Sequence, residues 1–198
     1  MRKLIVCNII SLDGFYSGPG GDVMVMPFDA GFSDYNAERL RAADTLLLGR
    51  TSYEGFRSYW PKVAEDMTQP AVEREISRLN AAIEKVVVSN SLRPDEVEGW
   101  GPTRVVRRAD AHAEVAALKR GPGRDILIFG SRLLWNDLLA AGLVDELHLM
   151  IGAGVVGEGV RAFETRPLGS LRLLDTRTFD GSSLVLARYA VDTAEAHA

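Results

Sequence analysis

Apolar residues along the chain fall into short continuous runs, separated by longer segments in which they recur every three or four positions. The short runs predict buried strands, and the longer segments predict amphipathic helices. Strands are predicted at 3–10, 45–48, 85–89, 103–107, 126–129 and 144–151. Helices are predicted from Ser33 or Asp34 to about residue 43, from near Thr51, and at 69–82, 111–120 and 132–141.

The last part of the chain has a different pattern. Two apolar runs, 171–179 and 184–191, flank Asp180-Gly181, which is typical of a hairpin turn. Strands that alternate with helices favour a parallel sheet with helices on both faces. We therefore predict an α/β fold whose mostly parallel, mixed sheet ends in an antiparallel hairpin. One domain is predicted over residues 1–191, followed by a disordered polar tail at 192–198.

The composition indicates an ordinary globular protein. Of 198 residues, 46% are hydrophobic and 25% charged, which is enough to build a core. The net charge is −4 and no Lys/Arg-rich run occurs, so neither nucleic acid nor a membrane is an expected partner. The single cysteine, Cys7, lies in an apolar run, which predicts a buried thiol and a cytoplasmic protein.

One local match to a dinucleotide-binding motif is rejected. Gly152, Gly154 and Gly157 satisfy G-x-G-x-x-G after a predicted strand. That strand alternates polar and apolar residues, whereas the first strand of a Rossmann unit is buried on both faces. Gly159 and Pro167 also leave little room for the required helix. We interpret the segment as a glycine-rich turn in another fold.

No metal site is predicted. His112, His148 and His197 lie far apart, without cysteine or carboxylate companions at metal-binding spacing, and are interpreted as surface residues. The chain also lacks a G-x-S-x-G elbow and a Walker-type loop. Hydrolase and nucleotide-triphosphatase functions are therefore not favoured.

Small polar residues follow three of the predicted strands. These are Gly49-Arg50-Thr51-Ser52, Ser89-Asn90 and Gly130-Ser131. The carboxyl ends of parallel strands meet at one edge of a sheet, and helix N-termini there attract phosphate. Arg50 adds a permanent cation. The sequence therefore predicts a nucleotide crevice, although simple helix capping and strand-to-helix turns would use the same residue types.

An ordered series of short segments runs through nearly the whole chain: 11–15, 46–54, 85–89, 128–131, 142–147 and 157–159. The block Gly-Arg-Thr-Ser-Tyr-Glu at 49–54 is the most distinctive. This series resembles the dihydrofolate reductase superfamily, in particular the bacterial branch similar to the C-terminal reductase domain of the bifunctional riboflavin-biosynthesis deaminase/reductase. The resemblance implies a three-layer, dihydrofolate-reductase-like fold and an NADPH-dependent reductase.

The resemblance also implies where NADPH binds. The residues expected at the cofactor are Gly49, Arg50, Thr51, Ser52, Ser89, Asn90, Gly130, Ser131, Arg132 and Leu133. Among them, Arg50 is expected to select the 2′-phosphate, and the Gly130-Ser131 pair to approach the pyrophosphate. Dihydrofolate reductases proper carry Gly-Gly at that pair, so the close backbone approach is only partly preserved.

The catalytic carboxylate is less well defined. Dihydrofolate reductases proper place one on the first helix, where this chain offers Asp29 and Asp34, and Asp13 follows the first strand on the substrate side. Each has a structural alternative: Asp34 as a helix N-cap, Asp29 as a solvated loop residue and Asp13 as a turn residue. The aromatic residues available for ring stacking or for core packing are Tyr16, Phe28, Tyr53, Phe56 and Trp60.

The expected reaction is hydride transfer from NADPH to a small heterocycle of the pteridine, pyrimidine or flavin type, similar to that of 5-amino-6-(5-phosphoribosylamino)uracil reductase. Three alternatives stay open: a weak dihydrofolate reductase, a nucleotide- or flavin-binding protein without turnover, and a purely structural homodimer. A homodimer is expected in any case, with the apolar terminal strands and the Val155-Val156 turn as candidate interfaces.

Overall fold

The computed structural model describes residues 1–164, 166–167 and 169–192. The strands are β1 (Leu4–Ile10), β2 (Phe15–Ser17), β3 (Ala43–Gly49), β4 (Glu84–Val88), β5 (Thr103–Val106), β6 (Asp125–Phe129), β7 (Glu146–Ile151), β8 (Val160–Arg161), β9 (Ser170–Thr178) and β10 (Val185–Asp192). The α-helices are α1 (Ala30–Ala42), α2 (Arg50–Val63), α3 (Ala71–Ala82), α4 (Ala111–Arg120) and α5 (Arg132–Ala140).

Eight strands form one sheet, in the order β5-β4-β3-β6-β1-β7-β10-β9. The first six in this order run parallel to one another, whereas β10 pairs antiparallel with both β7 and β9. The short strands β2 and β8, which the sequence pattern did not predict, form a separate antiparallel pair. The predicted mixed sheet with its terminal hairpin is confirmed.

Helices cover both faces of the sheet and make three layers. Helices α1, α2 and α3 pack on one face, and α4 and α5 on the other. Alternate residues of β1 pack on opposite faces of the sheet. Ile5, Cys7 and Ile9 belong to the core beneath α1, α2 and α3, and Leu4 and Val6 to the core beneath α4 and α5. Every residue of β1 is buried, as expected for a central strand between two helical layers.

Helix α1 begins at Ala30, so its predicted start at Ser33 or Asp34 is wrong. Asp29 is the N-cap, because its carboxylate accepts a hydrogen bond from the Phe32 amide at 3.1 Å. Gly31, a poor helix former, obscured this first turn in the sequence. A Cβ atom at Gly31 would lie 2.8 Å from Phe179 Cβ, so glycine lets the C-terminal strands pack closely against the helix.

The prediction that His148 lies at the surface is wrong, since the side chain is 0% exposed. Its Nδ1 lies 2.9 Å from the Tyr35 hydroxyl and its Nε2 lies 2.7 Å from Glu146. These contacts satisfy the polar groups of β7, which is therefore buried along most of its length despite its alternating sequence. Of the other histidines, His112 is exposed, as predicted, and His197 lies outside the described residues.

Within the described residues no helix follows β7, which confirms the rejection of the Gly152–Gly154–Gly157 motif. Cys7 is a free, buried thiol, as predicted. None of the described helices has the length and apolarity needed to span a membrane. Asp192 is the last residue of β10, and the rest of the predicted tail, 193–198, lies outside the described residues.

Candidate active site

Two clefts adjoin at the carboxyl edge of the parallel strands. The first, called the groove, has a volume of about 450 Å³ and runs past the ends of β3, β4 and β6. The second, called the cavity, has a volume of about 570 Å³ and lies among β1, α1, α2 and α3. Tyr16 lines both clefts, and the Gly130-Ser131 turn divides them, because Gly130 lines the cavity and Ser131 the groove.

The residues predicted at the cofactor come together here. Nine of the ten line the groove: Gly49, Arg50, Thr51, Ser52, Ser89, Asn90, Ser131, Arg132 and Leu133. The tenth, Gly130, lines the neighbouring cavity. They meet because β3, β4 and β6 are parallel and end at the same edge of the sheet.

Two serines join the ends of β3 and β6. The Ser131 amide donates to Ser52 Oγ at 2.8 Å, and the Gly49 amide donates to Ser131 Oγ at 3.0 Å. Ser131 has a φ of 50°, a left-handed conformation that costs a side-chain-bearing residue roughly 1–2 kcal/mol. Ser131 thus has a structural use, since its hydroxyl binds the Gly49 amide and holds the turn in place.

Asn8 holds the same turn from β1. Its Oδ1 accepts from the Gly130 amide at 2.7 Å, and its Nδ2 donates to the Gly130 carbonyl at 3.3 Å. A Cβ atom at Gly130 would lie 3.1 Å from Ser52 Oγ and 3.3 Å from the Tyr16 hydroxyl, so the backbone is closely enclosed. Sequence reasoning missed this role of Asn8, whose only signal is a polar residue inside the buried first strand.

The three arginines that line the groove differ in their exposure and in the partners they have within the chain. Arg132 already has partners within the chain. It donates a hydrogen bond to the Arg161 carbonyl and forms an ion pair with Glu164 at 3.1 Å. Arg50 is exposed and contacts Glu54 and Ser91, each at 2.8 Å. Arg108 is also exposed. Sequence reasoning missed Arg108, although a cation directly after a strand was a usable signal.

Two helices begin at the groove. The N-caps of α2 and α5 are Gly49 and Ser131, and neither makes a side-chain capping hydrogen bond. Helix N-termini carry partial positive charge and amide donors, which favour phosphate groups. Together with Arg50 and Arg108, these helix starts form a donor set that fits the phosphates of a dinucleotide.

Aromatic side chains form a large part of the cavity wall. Seven rings line it: Tyr16, Phe28, Phe32, Phe56, Tyr59, Trp60 and Phe129. Tyr53, the remaining aromatic candidate from the sequence, is instead a core residue whose hydroxyl donates to the Val97 carbonyl at 3.1 Å. Aromatic walls of this kind suit a flat ring.

None of the three predicted catalytic carboxylates lines the cavity. Asp29 caps α1, and Asp34 is exposed on that helix. Asp13 braces the loop after β1, because it accepts hydrogen bonds from Ser11 Oγ at 2.6 Å and from the amides of Val156 and Gly157 at 3.0 and 2.8 Å. These bonds, led by that from Ser11, lower the pKa of Asp13 from 3.8 to about 2.

The carboxylate that does line the cavity is Glu73. It lies in the first turn of α3, and Ser33 of α1 donates a hydrogen bond to its Oε1. Sequence reasoning missed Glu73, because an acid in the first turn of a helix has the ordinary explanation of interacting with the helix dipole.

The three-layer architecture is that of the dihydrofolate-reductase-like proteins. Residues 2–185 match the family described as the RibD C-terminal domain. The chain belongs to this family, and the membership supports an oxidoreductase of the RibD type.

The chain is also similar to known proteins, in sequence or in fold. The uncharacterized protein YyaP of Bacillus subtilis (strain 168) is 34% identical over 181 residues, which cover 90% of this chain and 89% of that protein. A deaminase/5-amino-6-(5-phosphoribosylamino)uracil reductase from Thermotoga maritima has a similar fold, with a TM-score of 0.66, 11% identity and coverage of 96% of this chain and 57% of the other. Dihydrofolate reductase from Enterococcus faecalis, complexed with NADP(H), gives a TM-score of 0.60, 14% identity and 96% coverage of both chains.

Proposed function

We propose that the protein is an NADPH-dependent reductase acting on a pteridine-, pyrimidine- or flavin-related heterocycle. The observation that carries the proposal is the junction of the two clefts at Tyr16 and the Gly130-Ser131 turn. A nucleotide lying in the groove and a flat ring in the cavity would meet there. Membership of the RibD C-terminal domain family supports a reductase, and the NADP(H) complex of the Enterococcus enzyme supports a nicotinamide cofactor.

Different groove residues are suited to different parts of the nucleotide. The N-termini of α2 and α5 are suited to the pyrophosphate, and Arg50 to the 2′-phosphate, with Arg108 as a second exposed cation. When bound, the nicotinamide group would supply the hydride. Asn8, Ser52 and Ser131 hold the turn between the clefts in place.

The cavity residues orient the second ring and keep water away from it. The aromatic side chains of α1 and α2, including Phe32 and Phe56, offer an apolar surface on which a heterocycle can stack. Exclusion of water matters because a dry site strengthens every polar contact that positions the reacting atoms.

The test is a titration of the purified protein with NADPH, NADH and FMN, followed by tryptophan fluorescence. The expected result is preferential binding of NADPH. Arg50→Ala should weaken NADPH by about tenfold or more, since a charge-assisted contact to phosphate is worth about 1.5–3 kcal/mol, and should weaken NADH much less. Arg93→Ala is the control, because Arg93 is exposed but pairs with Asp95 outside the groove.

Other outcomes would change the proposal. Equal losses for NADPH and NADH in Arg50→Ala would exclude Arg50 as the selector of the 2′-phosphate. Binding of FMN alone would indicate a flavin protein, and no binding at all would leave a structural role. NADPH binding without oxidation on any heterocycle would favour a nucleotide-binding protein that does not turn over.

A further inference from the structure

Tyr16 lies between the two clefts. Among the described residues, it alone lines both the groove and the cavity. A Cβ atom added at Gly130 would lie 3.3 Å from the Tyr16 hydroxyl, so that oxygen lies beside the turn that divides the clefts. A ring bound in the cavity and a nucleotide bound in the groove would therefore meet next to this hydroxyl.

The hydroxyl of Tyr16 is free to contact a ligand. None of the described residues makes a hydrogen bond to it, and the oxygen is accessible rather than buried. The two tyrosines in the core differ, since Tyr35 contacts His148 at 2.9 Å and Tyr53 donates to the Val97 carbonyl at 3.1 Å. The hydroxyl of Tyr16 thus has no structural partner within the described part of the chain.

The backbone on either side of Tyr16 is firmly held. Phe15 and Ser17 are buried and pair with β8, whereas Tyr16 between them is half-buried and lines the clefts. The Phe15 amide donates to Ser11 Oγ at 2.8 Å, and the Arg161 guanidinium lies 4.1 Å from the centre of the Phe15 ring. The strand therefore fixes the phenol at the junction before a ligand binds.

The proposed reduction needs a proton as well as a hydride. Adding a hydride to the carbon of a C=N or C=O bond leaves negative charge on the nitrogen or oxygen, which must take up a proton. The three carboxylates expected from the sequence do not line the cavity, and Glu73 lines the cavity but not the groove. Burial raises the pKa of Tyr16, and the charge of Arg132 offsets part of this effect, so the phenol keeps its proton at neutral pH.

We propose that Tyr16 is a catalytic residue that donates this proton at the junction of the clefts. A C–H bond of the bound dihydronicotinamide breaks as a C–H bond forms on the substrate, so the nucleotide is oxidised and the substrate is reduced. The O–H bond of Tyr16 breaks as the new N–H or O–H bond of the product forms, and solvent water then returns a proton to the phenolate. This inference rests on the proposed reductase function.

The first test follows the ionisation of Tyr16 by carbon NMR of protein labelled at tyrosine Cζ, with Tyr16→Phe identifying its signal. The nicotinamide ring of NADP⁺ is positively charged, whereas that of NADPH is neutral. A phenol beside that ring should titrate at a pH about one unit lower or more in the NADP⁺ complex than in the NADPH complex. Tyr189, which lies on β10 and lines neither cleft, should titrate alike in both complexes, and Tyr189→Phe identifies this control signal.

The second test is the reduction by NADPH of dihydrofolate, a probe with a neutral C=N bond. Tyr16→Phe should lower kcat by about 100-fold or more, because it removes a positioned proton donor. The affinity for NADPH and the midpoint of urea unfolding should stay nearly unchanged, since the hydroxyl has no partner in the described chain to lose. Tyr189→Phe should keep the kcat of the unmodified protein.

The inference is overturned if the Tyr16 signal titrates alike in the two nucleotide complexes, or if Tyr16→Phe reduces dihydrofolate as fast as the unmodified protein. Where the unmodified protein does not reduce dihydrofolate, the NMR comparison decides alone. Nucleotide binding without any difference in the Tyr16 titration contradicts only the inference. Absence of nucleotide binding contradicts the reductase function itself.

Discussion

Ser131, at the junction of the groove and the cavity, has a left-handed backbone conformation that two hydrogen bonds stabilise. Ser131 adopts a φ of 50°, and its hydroxyl accepts from the Gly49 amide while its own amide donates to Ser52. The two hydrogen bonds, each worth about 1 kcal/mol net, offset a backbone conformation that is unfavourable by a similar amount. Serine therefore suits this position through its hydroxyl rather than through its backbone preference.

Two substitutions separate the hydroxyl from the backbone strain. Ser131→Ala and Ser131→Gly both remove the hydroxyl, but only glycine relieves the left-handed strain. Ser131→Ala should therefore be destabilised by about 1–3 kcal/mol, and Ser131→Gly by about 1 kcal/mol less. The free energy of unfolding in urea measures both. If the alanine variant equals or exceeds the glycine variant in stability, strain at this position is not significant.

Helix α1 shows how one element is fastened to a distant part of the chain. Asp29 caps its first turn, and Ser182, in the loop between β9 and β10, donates to the second carboxylate oxygen at 2.7 Å. Glycine at position 31 lets Phe179 approach the same turn. The start of the helix and the terminal hairpin thus form a single contact region.

Asp29 and Asp34 are close in sequence but should behave differently. Asp29→Ala should lower the free energy of unfolding by about 1–2 kcal/mol, since it removes an N-cap and the bond from Ser182. Asp34→Ala, at an exposed position, should change stability by no more than about 0.5 kcal/mol and leave turnover unaltered. Thermal unfolding and NADPH oxidation are measured on both variants. A marked loss of turnover in Asp34→Ala alone would restore Asp34 as a catalytic candidate.

Element length decided which parts of the fold were predictable. Long elements such as β1 and α3 repeat their apolar pattern several times and were predicted within a few residues. Strands β2 and β8 have three and two residues, which is too short for any period to be visible. The order of strands in the sheet is set by pairing between distant segments, so it was not predicted from the sequence.

At the scale of the whole molecule, a buried polar network makes stability depend on pH. The hydrogen bond from His148, followed by that from Lys3, lowers the pKa of Glu146 from 4.5 to about 2, and burial lowers the pKa of His148 below 6.5. In both cases the unfolded chain takes up the proton at a higher pH than the folded chain. Stability should therefore fall as the pH drops below about 6.5, and fall further between 4.5 and 2.

A pair of histidine variants tests this network. His148→Phe should lose about 2–4 kcal/mol at neutral pH, because Glu146 and the Tyr35 hydroxyl lose a buried partner. His112→Phe removes an exposed pair with Asp137 and should cost no more than about 0.5 kcal/mol. Urea unfolding across the pH range measures both. Similar losses in the two variants would show that the buried network contributes little.

We propose that the protein is a homodimer formed through the β9–β10 edge of the sheet. All nine residues of β9 are exposed, and Leu171 and Leu173 pair with Val191 and Tyr189 across the hairpin. An edge strand can pair with a copy of itself, and exposed leucines there are costly in a monomer. The second copy would cover both.

Charge on this face should prevent the association. Leu173 is 52% exposed, and Leu173→Lys places a charge where the second copy would pack. Light scattering of this variant should give the mass of one chain rather than two. Met67→Lys, at an exposed site in the loop before α3, should keep the mass of the unmodified protein. A dimer that persists in Leu173→Lys, or a monomer without any substitution, would contradict the proposed interface.

The two clefts differ in how much of them the sequence could predict. Most groove residues directly follow a strand, so chain order and the parallel sheet were enough to assemble them. Arg108 lies after a different strand, and Glu73 lies on a helix that only tertiary packing brings against α1. The cavity therefore depends on contacts between distant elements that no local pattern contains.

The wall shared by the two clefts has a thermodynamic consequence. Tyr16 lines both, so a ring bound on one side alters the surface presented to the other. By linkage, the factor by which a cavity ligand changes the affinity for the nucleotide equals the factor by which the nucleotide changes the affinity for that ligand. The apparent dissociation constant of an inhibitor that fills the cavity would then depend on the nucleotide concentration. Its potency in the cell would change with the amount of nucleotide bound in the groove.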